Sequence, residues 1–336
     1  MKVMKKLSIL VVLVMSSLLL STEFPSTPAQ AQKATEWRMI SSWGPEHPQL
    51  KKFLIPFLER VNKKAAGRLK ISWVGPEAVP PFEQLKPLRE GLFDASYTHS
   101  AYHMGEISVG TGMDLFSATA KERRAAGLNK IVDEAYRKKA NVTYLAACAD
   151  GVGYHLMLKK KIDKAELAGL KIRTSPFYDP MINTIGGAPV RVPGGEIYSA
   201  LEKGVVDGAC WPAIGALEYK WYEVVKYMVR PCFGDAIELI LVNLNSWNRL
   251  PKDLQDLLTT TAMEVEEEGR AAMLKLLETE ERELQKKGME LLVLPPREGE
   301  KLLNTFYEKS WEGLVLKREP EFGPRLKEAV DRMRKK

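Results

Sequence analysis

Hydrophobic and polar positions along the chain keep two rhythms. Trp37 to Ser41 is a short strand-like run, and after it Leu50, Phe53, Leu54, Phe57, Leu58 and Val61 recur at the spacing of a helix that buries one face. Pro56 falls inside that helix and predicts a kink. Gly67 is placed to end it, Leu69 to Trp73 reads as the next strand, Phe82 to Glu90 as a helix closed by Gly91, and Phe93 to Thr98 as a strand. The alternation continues through a helix from Lys121 to Lys139, strands near Val142 to Ala146 and Tyr154 to Leu158, and a short helix ahead of a strand from Leu170 to Arg173. Strands and helices taking turns predict an α/β fold. No Gly/Ser-rich tether separates two halves, so two lobes would have to be joined by crossing strands.

The segment Pro251 to Lys287 differs in kind. Its only proline stands at the first position, and Gly288 lies just beyond its end. As one helix it would span about 55 Å, longer than a single lobe is wide, and would run along both lobes as a strut. The alternative is two helices broken near Thr259 to Thr261 or at Gly269. The charge-rich stretch Glu264 to Glu268 reads as a solvated helix face.

The amino terminus adds a compartment. Met1 to Lys6 is short and basic, Leu7 to Leu20 carries no charge, and Ala29-Gln30-Ala31 is the small-x-small pattern of a cleavage site, so residues 1–31 read as a signal peptide and the mature protein as periplasmic. The uncharged run is too short to span a bilayer. Of the 336 residues, 45% are hydrophobic and 28% charged, a folded profile that excludes disorder and low complexity. The mature length exceeds the size at which single cores usually stop growing, which predicts two lobes. The formal charge of +7 includes the basic leader and is too mild to imply nucleic acid. Cys148, Cys210 and Cys232 lack zinc spacing and are expected to be three free thiols.

Glu166 to Arg173 predicts a helix end, a glycine stop and a strand that delivers an arginine at its carboxyl end, where ligands of open α/β sheets sit. Ala188-Pro189-Val190 follows as a strand, then GGEIYSALEKGVVDG from Gly194 to Gly208, a turn, a helix and the start of another strand with Asp207 near its beginning. With WYEVVKY at Trp221 to Tyr227 and LNSWNRLPKDLQ at Leu244 to Gln255, this wording resembles the DctP-type solute-binding subunits of TRAP (tripartite ATP-independent periplasmic) transporters over nearly the whole mature chain.

The resemblance implies a two-lobed, Venus-flytrap fold with a cleft between lobes and a long helix spanning both. Lobe I would comprise 32–150 with about 239–278, and lobe II 151–238 with about 279–336. It implies a monomeric binding protein, not an enzyme, that hands a small organic carboxylate to a sodium-driven permease of small and large membrane subunits. Arg173 aligns with the arginine that pairs with the ligand carboxylate in this family, a role suited to a planar fork of donors that stays charged when buried. Trp211 stands where the family places a side chain over the ligand, and Trp43 lies on a loop that commonly faces the cleft. Tyr154 and His155 align with a strand that in many relatives adds a second carboxylate contact through Arg or Gln, neither of which is present here. Asn243 and Asn245 lie near the hinge and serve backbone groups. In the metal-dependent 2-oxo acid branch, a glutamate precedes the tryptophan; here Cys210 stands there, and a thiol suits a hard cation poorly, so neither metal nor cofactor is expected. The tryptophans with Tyr154, Phe116 and Phe177 lean toward a ligand with an apolar or aromatic body.

One other motif carries chemistry. His99 and His103, followed by Glu106, have a spacing that on a helix would put two imidazoles on one face, which raises the alternative of a periplasmic metal-dependent hydrolase. The motif follows a predicted strand directly and has no Glu beside the first His, so a loop at the cleft mouth, with Ser100 or His99 offering a polar contact, is preferred. A ligand-loaded sensor subunit would share the same cleft and differ only in its partner.

Overall fold

A computed structural model describes residues 34–148 and 150–334; the expected leader lies outside them. Two sheets organise these residues. The first contains β1 (Thr35–Ser41), β2 (Leu69–Val74), β3 (Ala95–His99), β4 (Val142–Cys148) and, from much later in the chain, β10 (Glu238–Asn243), in the order β2-β1-β3-β10-β4. The second contains β5 (Tyr154–Leu158), β6 (Lys171–Thr174), β7 (Ala188–Arg191), β8 (Gly208–Pro212), β9 (Tyr227–Arg230) and β11 (Glu290–Val293), in the order β11-β9-β5-β8-β6-β7. The helices are α1 (Ile55–Lys64), α2 (Leu85–Arg89), α3 (Ala120–Ala125), α4 (Leu128–Ala140), α5 (Asp179–Thr184), α6 (Ile197–Glu202), α7 (Leu244–Arg249), α8 (Lys252–Lys286), α9 (Pro296–Ser310) and α10 (Gly323–Arg334).

β10 is the strand that commits the topology. All six of its residues, ELILVN, are buried, as suits a strand between two neighbours, and it runs antiparallel to both β3 and β4. To reach it the chain must return from the second sheet, so two segments cross between the lobes side by side. Ala236 N–H donates to Val152 O at 2.8 Å, and Tyr154 and Phe233 exchange backbone hydrogen bonds at 2.8 and 3.1 Å. The two-lobed fold with crossing strands is therefore present.

α8 is one continuous helix of 35 residues. Early on it packs against α1 and β4, and near its end Leu284 joins the cluster of Trp211, Trp221 and Met289 under the second sheet. Gly269 does not break it. A side chain there would stand 2.2 Å from the Phe53 ring, so the glycine is the point where the helix and the Leu50–Leu54 turn approach most closely. The 264–268 stretch is not uniformly solvated either. Glu266 is buried, accepts the Ala147 N–H at 2.9 Å and pairs with Arg124, which pins β4 to α8.

Other expectations shift in detail. Pro56, expected to kink the helix, sits in the first turn of α1, where its missing N–H is not needed, and a π-helical turn at Leu50–Leu54 precedes it. The helix expected over 121–139 divides at Gly127, whose φ of 76° no continuous helix accepts. No helix precedes β6; residues 159–170 form a turn-rich loop. Of the stretch expected in lobe II, the described residues 279–334 do not stay with the second sheet as a block, because α9 packs on α5 whereas α10 returns to α4 beside the first sheet. All three cysteines are free thiols. Among the described residues no helix is long and apolar enough to cross a membrane.

Near its far end α8 also holds the loop after β8. Glu280 is buried, and its Oε1 accepts the N–H groups of Gly215 at 2.8 Å and Leu217 at 2.9 Å. Burial dominates and pushes its carboxyl from the ordinary 4.5 up to about 7, against the opposing pull of those N–H donors.

Two outcomes follow from these contacts. Helix propensity alone would make Gly269→Ala stabilising by about 1 kcal/mol, but the clash with Phe53 should reverse the sign and destabilise by roughly 1–3 kcal/mol in urea unfolding; a stabilised variant would refute the close approach. The folded protein holds a proton on Glu280 more tightly than the unfolded chain does, so this group's contribution to stability falls as pH rises from about 4.5 to 7. Between pH 5 and 8 the wild type should lose on the order of 2–3 kcal/mol more than Glu280→Gln, which keeps the oxygen acceptor but does not titrate. Equal losses in both proteins would show that Glu280 does not titrate in this range.

Candidate ligand-binding cleft

The two lobes meet at a cavity built on strand ends. From the first lobe come Trp43 just after β1, His47 on the same loop, His99 at the end of β3, Tyr102 beyond it and Glu238 at the start of β10. From the second come Tyr154 of β5, Arg173 of β6, Ser175 and Tyr178 after it, and Trp211 and Pro212 of β8, with Ala236 from a crossing segment. The lobes stand close in this conformation, and the enclosed volume is about 30 Å³.

Arg173 is the cation of this cavity and is only 1% exposed. Its Nε donates to Val192 O at 2.8 Å and Nη1 to Cys210 O at 3.0 Å, while the guanidinium carbon lies 5.0 Å from the centre of the Trp211 ring. Burial lowers its pKa, and the groups that favour its charge are Tyr102, Tyr178 and Cys210, none of them a carboxylate. It makes no ion pair among the described residues. Burying a charge in this way is costly unless something anionic completes it. Trp211, the platform beneath it, is set by Gly194, where a side chain would stand 2.8 Å from the indole. The first glycine of the Gly-Gly turn is a packing requirement of the tryptophan.

Behind the cavity lies a carboxylate the sequence reading did not single out. Asp114 is 1% exposed and accepts from His99 Nε2 at 3.0 Å, Tyr154 Oη at 2.9 Å, the Ile237 N–H at 3.0 Å and Ser100 Oγ at 3.1 Å. His99 Nδ1 accepts the Ala101 N–H at 3.0 Å, which leaves the proton on Nε2. The polar atoms of His99, Ser100 and Tyr154 are thus spent on one another and on Asp114. His99 and Tyr154 present their rings to the cavity.

On the opposite wall, Trp43 stacks on His47 with ring centres 4.6 Å apart and planes 7° from parallel. His47 Nε2 in turn lies 2.6 Å from Glu238 Oε1, and Tyr97 Oη donates to Glu238 Oε2.

Of the residues singled out from the sequence, Arg173, Trp211, Tyr154, Trp43 and His99 come together around the cavity. Ser100, Phe177 and His155 do not line it. Ser100 is turned toward Asp114, and Phe177 packs behind the wall against Tyr154 and Phe306. His155 neighbours Tyr154 on one strand, so the two point to opposite faces; its Nε2 accepts from Arg230 Nη1 at 2.6 Å, and burial, with Arg230 second, holds its pKa well below the ordinary value. The hydrolase trio is dispersed as well. His99 serves Asp114, His103 Nε2 lies 2.6 Å from Tyr136 Oη, and Glu106 pairs at the surface with Arg89. Burial and then His99 push His103 down to about 3, so it stays neutral. Among the described residues no three His, Cys, Asp or Glu side chains converge as a metal site requires.

The residues missed, His47, Tyr102, Asp114, Tyr178 and Glu238, had little signal in the sequence. Glu238 begins an apolar run and would have stood out only as a charge in an otherwise buried strand.

A cleft between two sheets, crossed by two paired segments and strutted by one long helix, matches a known family over most of its length. Residues 39–312 match the model of the bacterial extracellular solute-binding proteins, family 7 (DctP). The chain belongs to this family. A monocarboxylate 2-oxoacid-binding periplasmic protein of Nostoc sp. is 30% identical over 249 residues, 68% of this chain and 65% of that protein. The chain spans less than two thirds of the length of the curated relatives it matches first. Among solved structures, a TRAP periplasmic solute-binding protein from Desulfovibrio salexigens with bound orotic acid superposes with a TM-score of 0.79 at 21% identity, covering 89% of this chain and 99% of that one. A TRAP solute-binding protein from Bordetella bronchiseptica, with copurified calcium and picolinate, gives 0.78 at 22% identity, covering 88% and 91%.

In this family 7 protein the Asp114 cluster ties the third strand of the first sheet, the first strand of the second and a crossing segment to one carboxylate. Asp114→Asn removes the charge and puts an N–H₂ among donors, so it should destabilise by about 2–3 kcal/mol in urea unfolding. A variant as stable as wild type would show that the cluster does not hold the cleft floor.

Proposed function

We propose that the protein is a periplasmic solute-binding protein that captures a small organic carboxylate and delivers it to a sodium-driven TRAP permease of small and large membrane subunits. The observation that carries the reading is Arg173, a guanidinium buried at the meeting of two lobes with no carboxylate partner among the described residues. A ligand carboxylate supplies the missing counter-charge through the donors that Val192 and Cys210 do not use. Tyr102 and Tyr178, which line the cavity and feel the Arg173 charge, take the place of the Arg or Gln that gives a second contact in many relatives.

Capture works by differential contact. The open form exposes Arg173, and closure around the ligand gains an ion pair and apolar surface that the open form lacks. The paired crossing segments and α8 form the hinge, with lobe I drawn from about 32–150 and 239–278 and lobe II from 151–238 and the chain after 279 as far as α9. Trp43, Tyr102, Tyr178 and Trp211 suit a ligand with a flat or apolar body. The relatives point the same way: their names give 2-oxoacids, orotic acid and picolinate, all small acids. The protein acts as a monomer, performs no chemistry and reaches the periplasm through its leader.

The test is the melting-temperature shift of the mature protein against 2-oxo acids, hydroxy acids, dicarboxylates, aromatic acids, amino acids and neutral sugars. A ligand at about a hundred times its Kd should add roughly 2.7 kcal/mol, several degrees for a chain of this size. Arg173→Ala should lose the response, and Arg173→Lys, which keeps the charge without the fork, should weaken binding at least tenfold in calorimetry, with circular dichroism unchanged. Undiminished affinity in Arg173→Ala would overturn the assignment.

A further inference from the structure

We propose that the ligand of this cleft is a carboxylic acid that also bears a hydrogen-bond donor, an amino or hydroxyl group, and that Glu238 on the wall opposite Arg173 reads that donor. The inference rests on the carboxylate-capture reading and names the class of acid.

Glu238 lines the cavity at 2% exposure. Among the described residues its carboxylate has two partners, His47 Nε2 at 2.6 Å on Oε1 and the Tyr97 hydroxyl on Oε2. Two carboxylate oxygens offer about four acceptor sites, so roughly half of them are unused. Asp114 provides the internal comparison. It lies behind the cavity at the same depth of burial and has four donors. The carboxylate that faces no ligand is saturated by the protein, and the one that faces the cavity is not.

No Lys or Arg pairs with Glu238 among the described residues, and the cavity's own guanidinium stands on the other lobe. Tyr102 lines the same cavity, and Arg173 and Glu238 act on its hydroxyl with opposite sign. The cavity is therefore polarised from wall to wall. His47 is the positioning residue on the acidic side, fixed by its stack on Trp43, and it aims Glu238 without filling its remaining acceptor sites.

Closure around an acid with only acceptors would satisfy Arg173 and bury the remaining Glu238 acceptor sites against nothing that can donate. A donor on the ligand removes that penalty. Sites that hydrogen-bond a ligand group discriminate strongly against analogues lacking it, because the protein group is left buried and unpaired.

The experiment is calorimetric titration of the mature protein with two matched series. One is propionate, pyruvate, L-lactate and L-alanine; the other is 3-phenylpropionate, phenylpyruvate, L-phenyllactate and L-phenylalanine. Within a series the carboxylate is constant and only the group on C2 changes. The hydroxy or amino member should bind at least tenfold more tightly than the oxo and unsubstituted members, and Glu238→Gln should shrink that preference to less than threefold. Tightest binding of the alanine-type member identifies an ammonium as the donor, and of the lactate-type member a hydroxyl; either supports the proposal. Binding of the oxo or unsubstituted acid as tight as that of its donor-bearing partner overturns the proposal while leaving carboxylate capture intact. So does a preference that survives in Glu238→Gln. Silence from both series, together with binding of a donor-free acid from the wider panel, also overturns the proposal, and carboxylate capture itself is decided by that panel and by Arg173→Ala. The wild-type series decides the matter even if the variant does not fold.

Discussion

Burying ionised side chains in the seam between two lobes is the constraint on which this structure depends. Arg123, Asp114, Arg173, Asp235 and Glu238 are each 2% exposed or less, and all lie where the lobes or the segments crossing between them meet. Water cannot solvate them there, so each needs protein partners in fixed positions. Asp235 accepts from Arg123 Nη2 at 3.0 Å and from the Gly151 N–H at 2.7 Å, while the same Nη2 reaches the Met113 and Phe116 carbonyls. One ion pair thus fastens both crossing segments to the turn that carries Asp114. Asp114 then fastens Tyr154 and Ile237, and the cleft floor is set. Arg173 has no carboxylate partner among the described residues and Glu238 no Lys or Arg partner, and both face the cavity.

The same reasoning decides what can hold the lobes closed. Lys51, in the turn before α1, pairs with Glu218, in the loop after β8, and so bridges the lobes at the surface. Both side chains are more than two fifths exposed, and pairs of this kind contribute on the order of 0–1 kcal/mol. That is too little to favour closure decisively. In the proposed capture, the buried guanidinium and carboxylate of the cavity have far more to gain from a complementary ligand, so closure is selected mainly by what is bound inside.

Rigid packing supplies the frame for that selection. Gly194 admits the Trp211 indole, Gly269 admits the Phe53 ring, and Glu266 and Glu280 tie α8 to β4 and to the loop after β8. At both glycines an apparently weak position in a helix or turn is where two elements approach too closely for another residue. A lone helix glycine reads as a break until its neighbour is known.

What the chain determines by itself is local. The alternation of strand and helix, the helical character and bounds of the α8 segment, and the delivery of Arg173 near the end of a strand after a glycine are set by spacing within a few turns of sequence and are legible there, whereas the continuity of α8 past Gly269 is not. Tyr154 and His155 were legible as strand residues but not as inward and outward, because the phase of a strand is decided by what packs on each face. The acidic wall was not legible at all. His47 and Glu238 stand 191 residues apart in the chain, and they meet only because β10 returns from the second sheet to lie between β3 and β4. Tertiary structure alone decided which charges are neutralised within the protein and which are left for a ligand, since that depends on partners brought together across the fold rather than on neighbours in sequence.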